Sequence, residues 1–403
     1  TGDLLFFNDK YYANDAESLI RREARKCLIN STNGDMNEIV KYVEDTSEII
    51  THEAIENHAH LKCLLNGTYN IKSGKFVEEF SRDNIILQQI PRNYNESLKW
   101  DEIDKLTTQI ISDKIDRQMF YDTISLCLHP YNGVYQQWGG VGIQGSGKGQ
   151  LEVLVSTTLG KKNCSHTPIH RLATDMTLQK ECAYDMCVFD TEVSDQSVAH
   201  LDTIKKWVTQ DPFTGRGIYG HKTTFRPSSR LMFTTNELFE LPNNIDADAI
   251  YDRTYLAQLN NRYRHTDNEI KNVMKKTATD DELDGFITYL LKNATWIAKH
   301  ERTHYLLKPK DTRDIWNIFG NRIKNFFKKY FEIGASKKTP KQEVHNKWLH
   351  HALETGFGAN DKKKFFALFD EIVGTAPMNT RIGNDQVYAY AGFGLKSSEE
   401  INE

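Results

Sequence analysis

The sequence contains no apolar run that approaches 18 residues, so we expect no membrane span. Its six cysteines form no C-x-x-C pair, which argues against a zinc site and against a disulfide framework. Reduced cysteines in a cytoplasmic protein are the simplest interpretation. The chain also begins without Met and without a signal-peptide pattern, which suggests a fragment of a longer protein.

The 403 residues are enough for two or three domains. Charged residues make up 26% and apolar residues 39%, a composition typical of a folded protein with substantial cores. Residues 301–403 carry 17 Lys and Arg against 13 Asp and Glu, whereas residues 1–300 carry 34 against 42. A mildly basic C-terminal part beside an acidic remainder is typical of nucleic-acid binding, but an ordinary solvated surface gives the same charge asymmetry.

Residues 1–115 show no catalytic constellation. Apolar residues recur at helical spacing in SLIRREARKCLI, in ITHEAIENHAHLKCLLN and in NYNESLKWDEIDKLTTQII. This pattern predicts a mostly helical N-terminal region.

A glycine-rich segment at residues 142–149, GIQGSGKG, is here called the glycine loop. Gly142, Gly147 and Lys148 fit the phosphate-binding pattern, but Gly149 stands where Ser or Thr would ligate Mg²⁺. G-x-x-x-x-G-K arises by chance in roughly one chain of this length in ten, so the motif needs support from its surroundings. A strand-like VYQQWGGVGI precedes it and a helix-like QLEVLVSTTLG follows, which is the context that phosphate binding requires.

In three later segments, a polar residue directly follows or precedes an apolar, strand-like run. MCVF runs into Asp190 and Glu192, as in the magnesium and water-activating element of a phosphate-loop ATPase, or as in an ordinary acidic strand end. RLMFTT runs into Asn236, which could sense a γ-phosphate or simply occupy a turn. Arg253 precedes a further apolar stretch, and either reaches the γ-phosphate of a neighbouring subunit or lies on the surface.

In this order and spacing, the segments resemble superfamily-three helicases of the AAA+ class. The likeness is greatest to the C-terminal helicase of phage, plasmid and poxvirus primase–helicases, and it is strongest over residues 134–264. The most diagnostic segment is IKKWVTQDPFTGRGIYGHKTTFRP, in which Lys205, Asp211-Pro212 and Arg216 precede a β-hairpin as they do in that family. The family's Gly-Gly before the Asp is Thr209-Gln210 here.

The resemblance implies ATP and Mg²⁺ as cofactors and a homo-oligomer, in the family a hexameric ring. It implies that Asp190 holds Mg²⁺ directly or through water, that Glu192 activates the attacking water, that Asn236 senses the γ-phosphate, and that Arg253 acts across a subunit interface. It also implies nucleotide binding by the loop and the residue after it, with Lys148 on the β- and γ-phosphates. The residues so implied are Gly142, Gln144, Gly145, Ser146, Gly147, Lys148, Gly149 and Gln150.

The hairpin GIYGHKTTFRP is expected by the same resemblance to project into the channel of the ring. His221 and Lys222 at its tip would grip backbone phosphates without sequence preference, with Lys205 and Arg216 as further DNA contacts. An exposed polar turn is the alternative. Translocation on single-stranded DNA would by analogy run 3′→5′.

Residues 301–403 contain three helix-like segments and then two strands around Gly-Asn-Asp, which together suggest a winged helix. The helix-like segments are NRIKNFFKKYFE, TPKQEVHNKWLHHALE and DKKKFFALFDEIVG. Basic residues that open the third helix would meet origin DNA, unless the domain binds a protein instead. The candidate DNA contacts are Lys362, Lys363, Lys364 and Arg381.

We therefore expect a multidomain chain with an α/β core of the AAA+ type. A helical collar or oligomerisation domain would span 1–115, the helicase core with a helical lid 116–300, and the winged-helix-like domain 301–403. The expected function is an ATP-dependent, ring-forming replicative helicase that unwinds forked DNA at origins of a phage or phage-dependent island, in the cytoplasm of a bacterial host.

Two alternatives stay open at this point. Small nucleotide kinases also use G-K-G loops, and a protein with a degenerate loop could bind an origin without being an enzyme. No primase signature is visible in the sequence.

Overall fold

The computed structural model describes residues 4–28, 30–191, 193, 200–216, 222–238, 241, 245–266, 269–320, 322–354, 362–383 and 385–397. Within these ranges, no helix combines the length and the apolar character that a membrane crossing requires. The chain forms a mixed α/β multidomain protein built around a five-stranded parallel sheet, as the sequence predicts in outline.

The N-terminal region pairs two short strands, then forms three helices, a small antiparallel sheet and two longer helices. Its elements are β1 (Phe6–Phe7), β2 (Tyr12–Ala13), α1 (Ala16–Cys27), α2 (Asn33–Thr46), α3 (His52–His58), β3 (Leu61–Cys63), β4 (Thr68–Asn70), β5 (Lys75–Val77), α4 (Asp101–Ile110) and α5 (Lys114–Leu128). Helix α2 begins with a capping box, in which Thr32 and Asp35 satisfy each other's backbone N–H groups.

One expectation for this region is wrong. The helical pattern of ITHEAIENHAHLKCLLN stops at His58, and Leu61–Cys63 form strand β3 instead. All three residues of β3 are buried and pair with β4. A strand that is buried along its whole length shows no alternation of apolar and polar residues, so a short apolar run does not distinguish it from a helix.

The middle of the chain carries the parallel sheet, whose order is β12-β6-β11-β8-β7. Its strands and the short hairpin are β6 (Gln137–Gly142), β7 (Cys164–His166), β8 (Cys187–Asp190), β9 (Phe213–Arg216), β10 (Lys222–Phe225), β11 (Arg230–Thr235) and β12 (Thr254–Leu259). The helices between and after them are α6 (Lys148–Leu159), α7 (Ile169–Thr174), α8 (Met176–Cys182), α9 (Leu201–Val208), α10 (Ile245–Tyr251), α11 (Val273–Thr277) and α12 (Asp280–His300), with a 3₁₀ turn at Lys161–Asn163.

Strands β6, β8 and β11 are buried along their whole length, as expected for a parallel sheet with helices on both faces. Thr235 pairs with Val141, and Phe233 pairs with Asp190. The carboxyl ends of β6, β8 and β11 therefore lie along one edge of the sheet. Ligands of open parallel sheets bind at this edge, outside the strand ends.

Two apolar cores hold the helices against the sheet. On one face, Trp138 and Phe189 pack with residues of α4, α5, α6 and α12. On the other face, Val188 packs with α7–α10 and with Trp316 of α13 (Pro309–Gly320). Full burial of a Val or Phe side chain contributes about 1.5–3 kcal/mol to the free energy of folding, so each core stabilises the packing of the helices on the sheet.

Helix α4 is fixed in place by α12, and this arrangement shapes the cleft described below. The carboxylate of Glu282 accepts hydrogen bonds from the backbone N–H groups of Glu102 and Ile103, at 3.0 and 3.1 Å. These donors belong to the first turn of α4 and have no partner within their own helix. A carboxylate from α12 thus caps α4, and its negative charge also interacts favourably with the positive N-terminal end of the α4 dipole.

The C-terminal part has a core of its own, in which Phe326, Trp348 and Phe369 meet. Its elements after α13 are α14 (Arg322–Tyr330), β13 (Phe331–Pro340), α15 (Lys341–Glu354), α16 (Lys362–Val373), β14 (Met378–Ile382) and β15 (Asp385–Leu395), with the antiparallel order β13-β15-β14. The predicted hairpin around Gly-Asn-Asp is confirmed, because Ile382 pairs with Asp385.

Strand β13 was not expected. The helix-like pattern of NRIKNFFKKYFE ends at Tyr330, and Phe331 pairs with Leu395, more than sixty residues away. The helix-like pattern of TPKQEVHNKWLHHALE likewise begins later than expected, at Lys341. A strand whose partner is so distant along the chain leaves little local signal.

Candidate nucleotide site

The glycine loop links the carboxyl end of β6 to the start of α6, so the predicted strand and helix on its two sides are confirmed. Gly145 and Gly147 have φ values of 83° and 94°, in the left-handed region that favours glycine. Gly142 has no space for a side chain, because a Cβ there would lie 2.1 Å from the carbonyl oxygen of Leu259 on the neighbouring strand. The loop conformation therefore depends on glycine at these positions.

Lys148 folds back into the loop. Its Nζ donates hydrogen bonds to the carbonyl oxygens of Gly142, at 2.9 Å, and Ile143, at 2.6 Å, and lies 3.4 Å from Oγ of buried Ser146. Burial lowers the pKa of Lys148 to about 8. The ammonium group is thus held by neutral carbonyls, which an anion could replace with a stronger, charge-assisted interaction.

A cleft of about 450 Å³ opens beside the loop. It is bounded by the loop and the start of α6, by the end of β11, by one face of α4, and by the segment that follows β12. The lining residues are Leu106, Gln109, Ile110, Gln144, Gly145, Gly147, Lys148, Gly149, Gln150, Asn236, Tyr263, Arg264, Glu269, Ile270 and Val273. The structure therefore brings Lys148 and Asn236, which are 88 positions apart, into one cleft.

Asp190 ends strand β8 and is only 3% exposed. Its Oδ2 accepts a hydrogen bond from the backbone N–H of Ile169, the first residue of α7, at 2.8 Å. Strand β11 lies between β8 and β6, and Phe233 pairs with both Asp190 and Gly139. Asp190 therefore lies about 10 Å across the sheet from Gly139, which is three residues before the end of β6. The carboxylate is fixed at the carboxyl edge of the sheet, although it does not line the cleft itself.

The described residues at this edge offer one carboxylate, that of Asp190, as a ligand for a metal ion. Across the described ranges, no group of three or more His, Cys, Asp or Glu is arranged to hold a metal ion alone. Mg²⁺ usually keeps several waters and uses one or two carboxylates plus substrate phosphates, so Asp190 is a sufficient kind of ligand. Gly149 supplies no ligand, and a Cβ there would meet no heavy atom within 4 Å.

Arg253 lies at the opposite edge of the sheet. Thr254, the next residue, pairs with Gln137, which is the first residue of β6 and about 16 Å from its last. The Arg253 guanidinium donates to the carbonyl oxygen of Ala249 in α10, at 3.0 Å. Within one chain, Arg253 is therefore not brought together with Lys148.

The residues expected to touch DNA in the hairpin region are only partly described. Strands β9 and β10 pair with Arg216 opposite Lys222, so the first strand of the hairpin includes Arg216, which was expected to precede the hairpin. The structure describes only the backbone of these two residues. His221 lies outside the described residues, and so does Glu192, the expected activator of water. Lys205 is half-buried on α9.

The C-terminal candidates lie on two elements. Lys362 and Lys363 are exposed at the start of α16, and Lys362 Nζ donates to Gln342 Oε1 at 3.2 Å. Only the backbone of Lys364 is described. Arg381 is exposed on β14, where its carbonyl oxygen lies 3.4 Å from Lys338 Nζ.

Sequence reasoning missed the far wall of the cleft. The backbone N–H groups of Tyr263 and Arg264 both donate to the carbonyl oxygen of Gly145, at 2.9 and 3.3 Å. The hydroxyl of Tyr263 donates to the carbonyl oxygen of Gln109 in α4. These contacts join parts of the chain more than 100 residues apart, and no local pattern in the sequence signals them.

Family models match two parts of the chain. Residues 7–122 match the model described as "D5 N terminal like", and residues 141–253 match a family of unknown function, DUF5906. A comparison with curated proteins finds no match.

Similar solved structures include three apo structures of the NrS-1 C-terminal region. They are 13%, 12% and 12% identical to this chain, with TM-scores of 0.42, 0.43 and 0.44. The alignments cover 78% of this chain and 88%, 82% and 82% of those chains. The match over residues 7–122 supports a relationship of this chain to the primase–helicases of the phage type, and with it a function in DNA replication.

Proposed function

We propose that the chain is an ATP-dependent, ring-forming DNA helicase with a superfamily-three AAA+ core and a C-terminal winged helix. One observation carries the proposal. The glycine loop, Lys148 and Asn236 line a single cleft at the carboxyl edge of a parallel sheet, with Asp190 fixed at the same edge.

The cleft suits a nucleoside triphosphate. The backbone N–H groups of the loop and of the first turn of α6 supply donors and a positive helix end for the phosphates. Lys148 exchanges its carbonyl partners for phosphate oxygens. Apolar Leu106, Ile110 and Val273 offer a surface for the base.

Hydrolysis needs a held water and stabilised charge. Asp190 would hold Mg²⁺ directly or through water, and the bound ion would supply neutralisation of the phosphate charge. Glu192 takes a proton from the attacking water, and Asn236, exposed in the cleft, orients the γ-phosphate. Further positive charge that stabilises the transition state comes from Arg253 of a second subunit.

The position of Arg253 supports a ring. Its backbone lies beside the start of β6, about 16 Å along the strand from the end that leads into the loop, and its guanidinium donates to the carbonyl oxygen of Ala249. In a cyclic oligomer, the same edge of the sheet can face the nucleotide cleft of the next copy. Arg253 then acts as an arginine finger in trans.

Two elements are proposed to bind DNA. The hairpin of β9 and β10, with Lys222 at the start of β10, contacts single-stranded DNA inside the ring without sequence preference. The C-terminal order helix, strand, helix, helix, strand, strand supports a winged helix, in which α16 and the β14–β15 wing meet origin DNA. Forked DNA is the expected substrate.

ATP hydrolysis with and without single-stranded DNA tests this function. We expect hydrolysis that DNA stimulates and that Lys148→Ala abolishes. Phosphorylation of a nucleoside monophosphate without any effect of DNA would support a nucleotide kinase instead. DNA binding without hydrolysis would support a non-enzymatic initiator.

A further inference from the structure

An arginine of the far wall of the cleft lies directly beside the glycine loop. Arg264 belongs to the segment after β12 and lines the same cleft as Lys148 and Asn236. Its backbone N–H donates to the carbonyl oxygen of Gly145 at 3.3 Å. A Cβ placed on Gly145 would lie only 2.7 Å from the Cβ of Arg264. The side chain of Arg264 therefore starts in contact distance of the loop.

This contact is close to the lysine of the loop. Ser146 follows Gly145, and its Oγ lies 3.4 Å from Lys148 Nζ. A lysine at this place in a phosphate-binding loop reaches the β- and γ-phosphates of the nucleotide. Arg264 and Lys148 therefore border the same end of the cleft, where the terminal phosphates are expected.

The guanidinium of Arg264 is exposed and can accept a ligand. In the part of the chain that the structure describes, no protein group accepts a hydrogen bond from this guanidinium or pairs with its charge. The acid that shares the cleft, Glu269, accepts instead from the backbone N–H of His265, at 2.9 Å. A guanidinium in this position can donate two charge-assisted hydrogen bonds to one phosphate group.

We propose that Arg264 binds the terminal phosphates of the nucleotide held by its own subunit. The inference rests on the proposed nucleotide site and adds a residue to it. The assigned role differs from that of Arg253, which lies outside the cleft and is proposed to act across a subunit interface. Arg264 thus supplies positive charge from the wall that faces the loop, and Lys148 supplies it from the loop itself.

Arg264→Ala tests the side chain alone. Alanine keeps the Cβ beside Gly145 and the backbone N–H that donates to it, so the loop should keep its conformation. Competition against a fluorescent ADP analogue in EDTA gives Kd for ADP and for AMP. A hydrogen bond to a charged group accounts for about 10–100-fold in affinity, so ADP should bind to the variant more weakly by about that factor. AMP has no β-phosphate and should bind as it does to the wild type.

A neighbouring arginine provides the matched control. Arg262 is exposed two positions earlier and is not among the residues that line the cleft. Arg262→Ala should therefore leave both dissociation constants unchanged. An unchanged affinity for ADP in Arg264→Ala, or an equal loss for ADP and AMP, overturns the inference and leaves the helicase proposal intact. Failure of the wild type to bind the ADP analogue overturns both.

Discussion

Lys148 Nζ lies 2.6 Å from the carbonyl oxygen of Ile143, inside the glycine loop. We expect this lysine to bind the phosphates of a nucleotide there. Burial lowers the pKa of this lysine to about 8 in the protein without nucleotide. Bound phosphate favours the charged form and so raises the pKa. Nucleotide binding above pH 8 must therefore take up a proton.

We predict a corresponding loss of nucleotide affinity at high pH. Below pH 8 the lysine is charged in both states and contributes no pH dependence. Between pH 8 and the pKa of the bound state, Kd for ADP should rise by up to about tenfold per pH unit. Fluorescence titrations from pH 7 to 9.5 measure this slope. Lys148→Met should bind weakly and without the slope, and a slope that persists in this variant would contradict the assignment.

Gly149→Ser should lower the magnesium requirement of ATP hydrolysis. A side chain at this position meets no atom within 4 Å, so the serine fits, and its hydroxyl restores the usual ligand of Mg²⁺. Steady-state rates across a range of Mg²⁺ concentrations provide the measurement. If the half-saturating Mg²⁺ concentration is unchanged, a hydroxyl at position 149 adds no ligand to Mg²⁺, which would contradict this prediction.

Two alanine variants in the glycine loop should differ in stability. Gly142→Ala forces a Cβ to 2.1 Å from a backbone carbonyl oxygen of β12, and overpacking of this kind costs about 1–3 kcal/mol or more. Gly149→Ala enters open space near the start of α6, where alanine is favoured over glycine by up to about 1 kcal/mol. Urea unfolding should place the two midpoints on opposite sides of the wild type. Equal midpoints would argue against this loop geometry.

Arg253 and Lys148 should complement each other between subunits. Arg253→Ala and Lys148→Ala are each expected to lose most ATP hydrolysis. In mixed rings made from equal amounts, roughly a quarter of the interfaces combine an intact Lys148 with an intact Arg253. The mixture should therefore regain activity, whereas no recovery after subunit exchange would place Arg253 outside the proposed site.

The sequence predicted the local parts of the site well. Strand β6, the glycine loop and α6 follow one another along the chain, and turn chemistry and apolar runs are local signals. The apolar runs that end at Asp190 and before Asn236 are strands β8 and β11, and because the sheet is parallel their carboxyl ends lie at one edge.

The parts that escaped prediction depend on distant contacts. Strand β13 pairs with β15, and Tyr263 reaches Gln109 across more than 150 positions. Glu152 and His166 are 14 positions apart and follow no motif, and only the fold brings them together. Tertiary packing of this kind overrides local preference and leaves no spacing rule to detect.

Unwinding of a forked DNA duplex by the wild type, Lys148→Ala and Glu192→Gln tests the central claim most directly. Labelled forks with single-stranded arms report strand separation in the presence of ATP and Mg²⁺. We predict separation by the wild type alone, because the two variants lose phosphate binding and water activation respectively. Equal unwinding by all three proteins, or none by a wild type that hydrolyses ATP and binds the fork, would contradict the account.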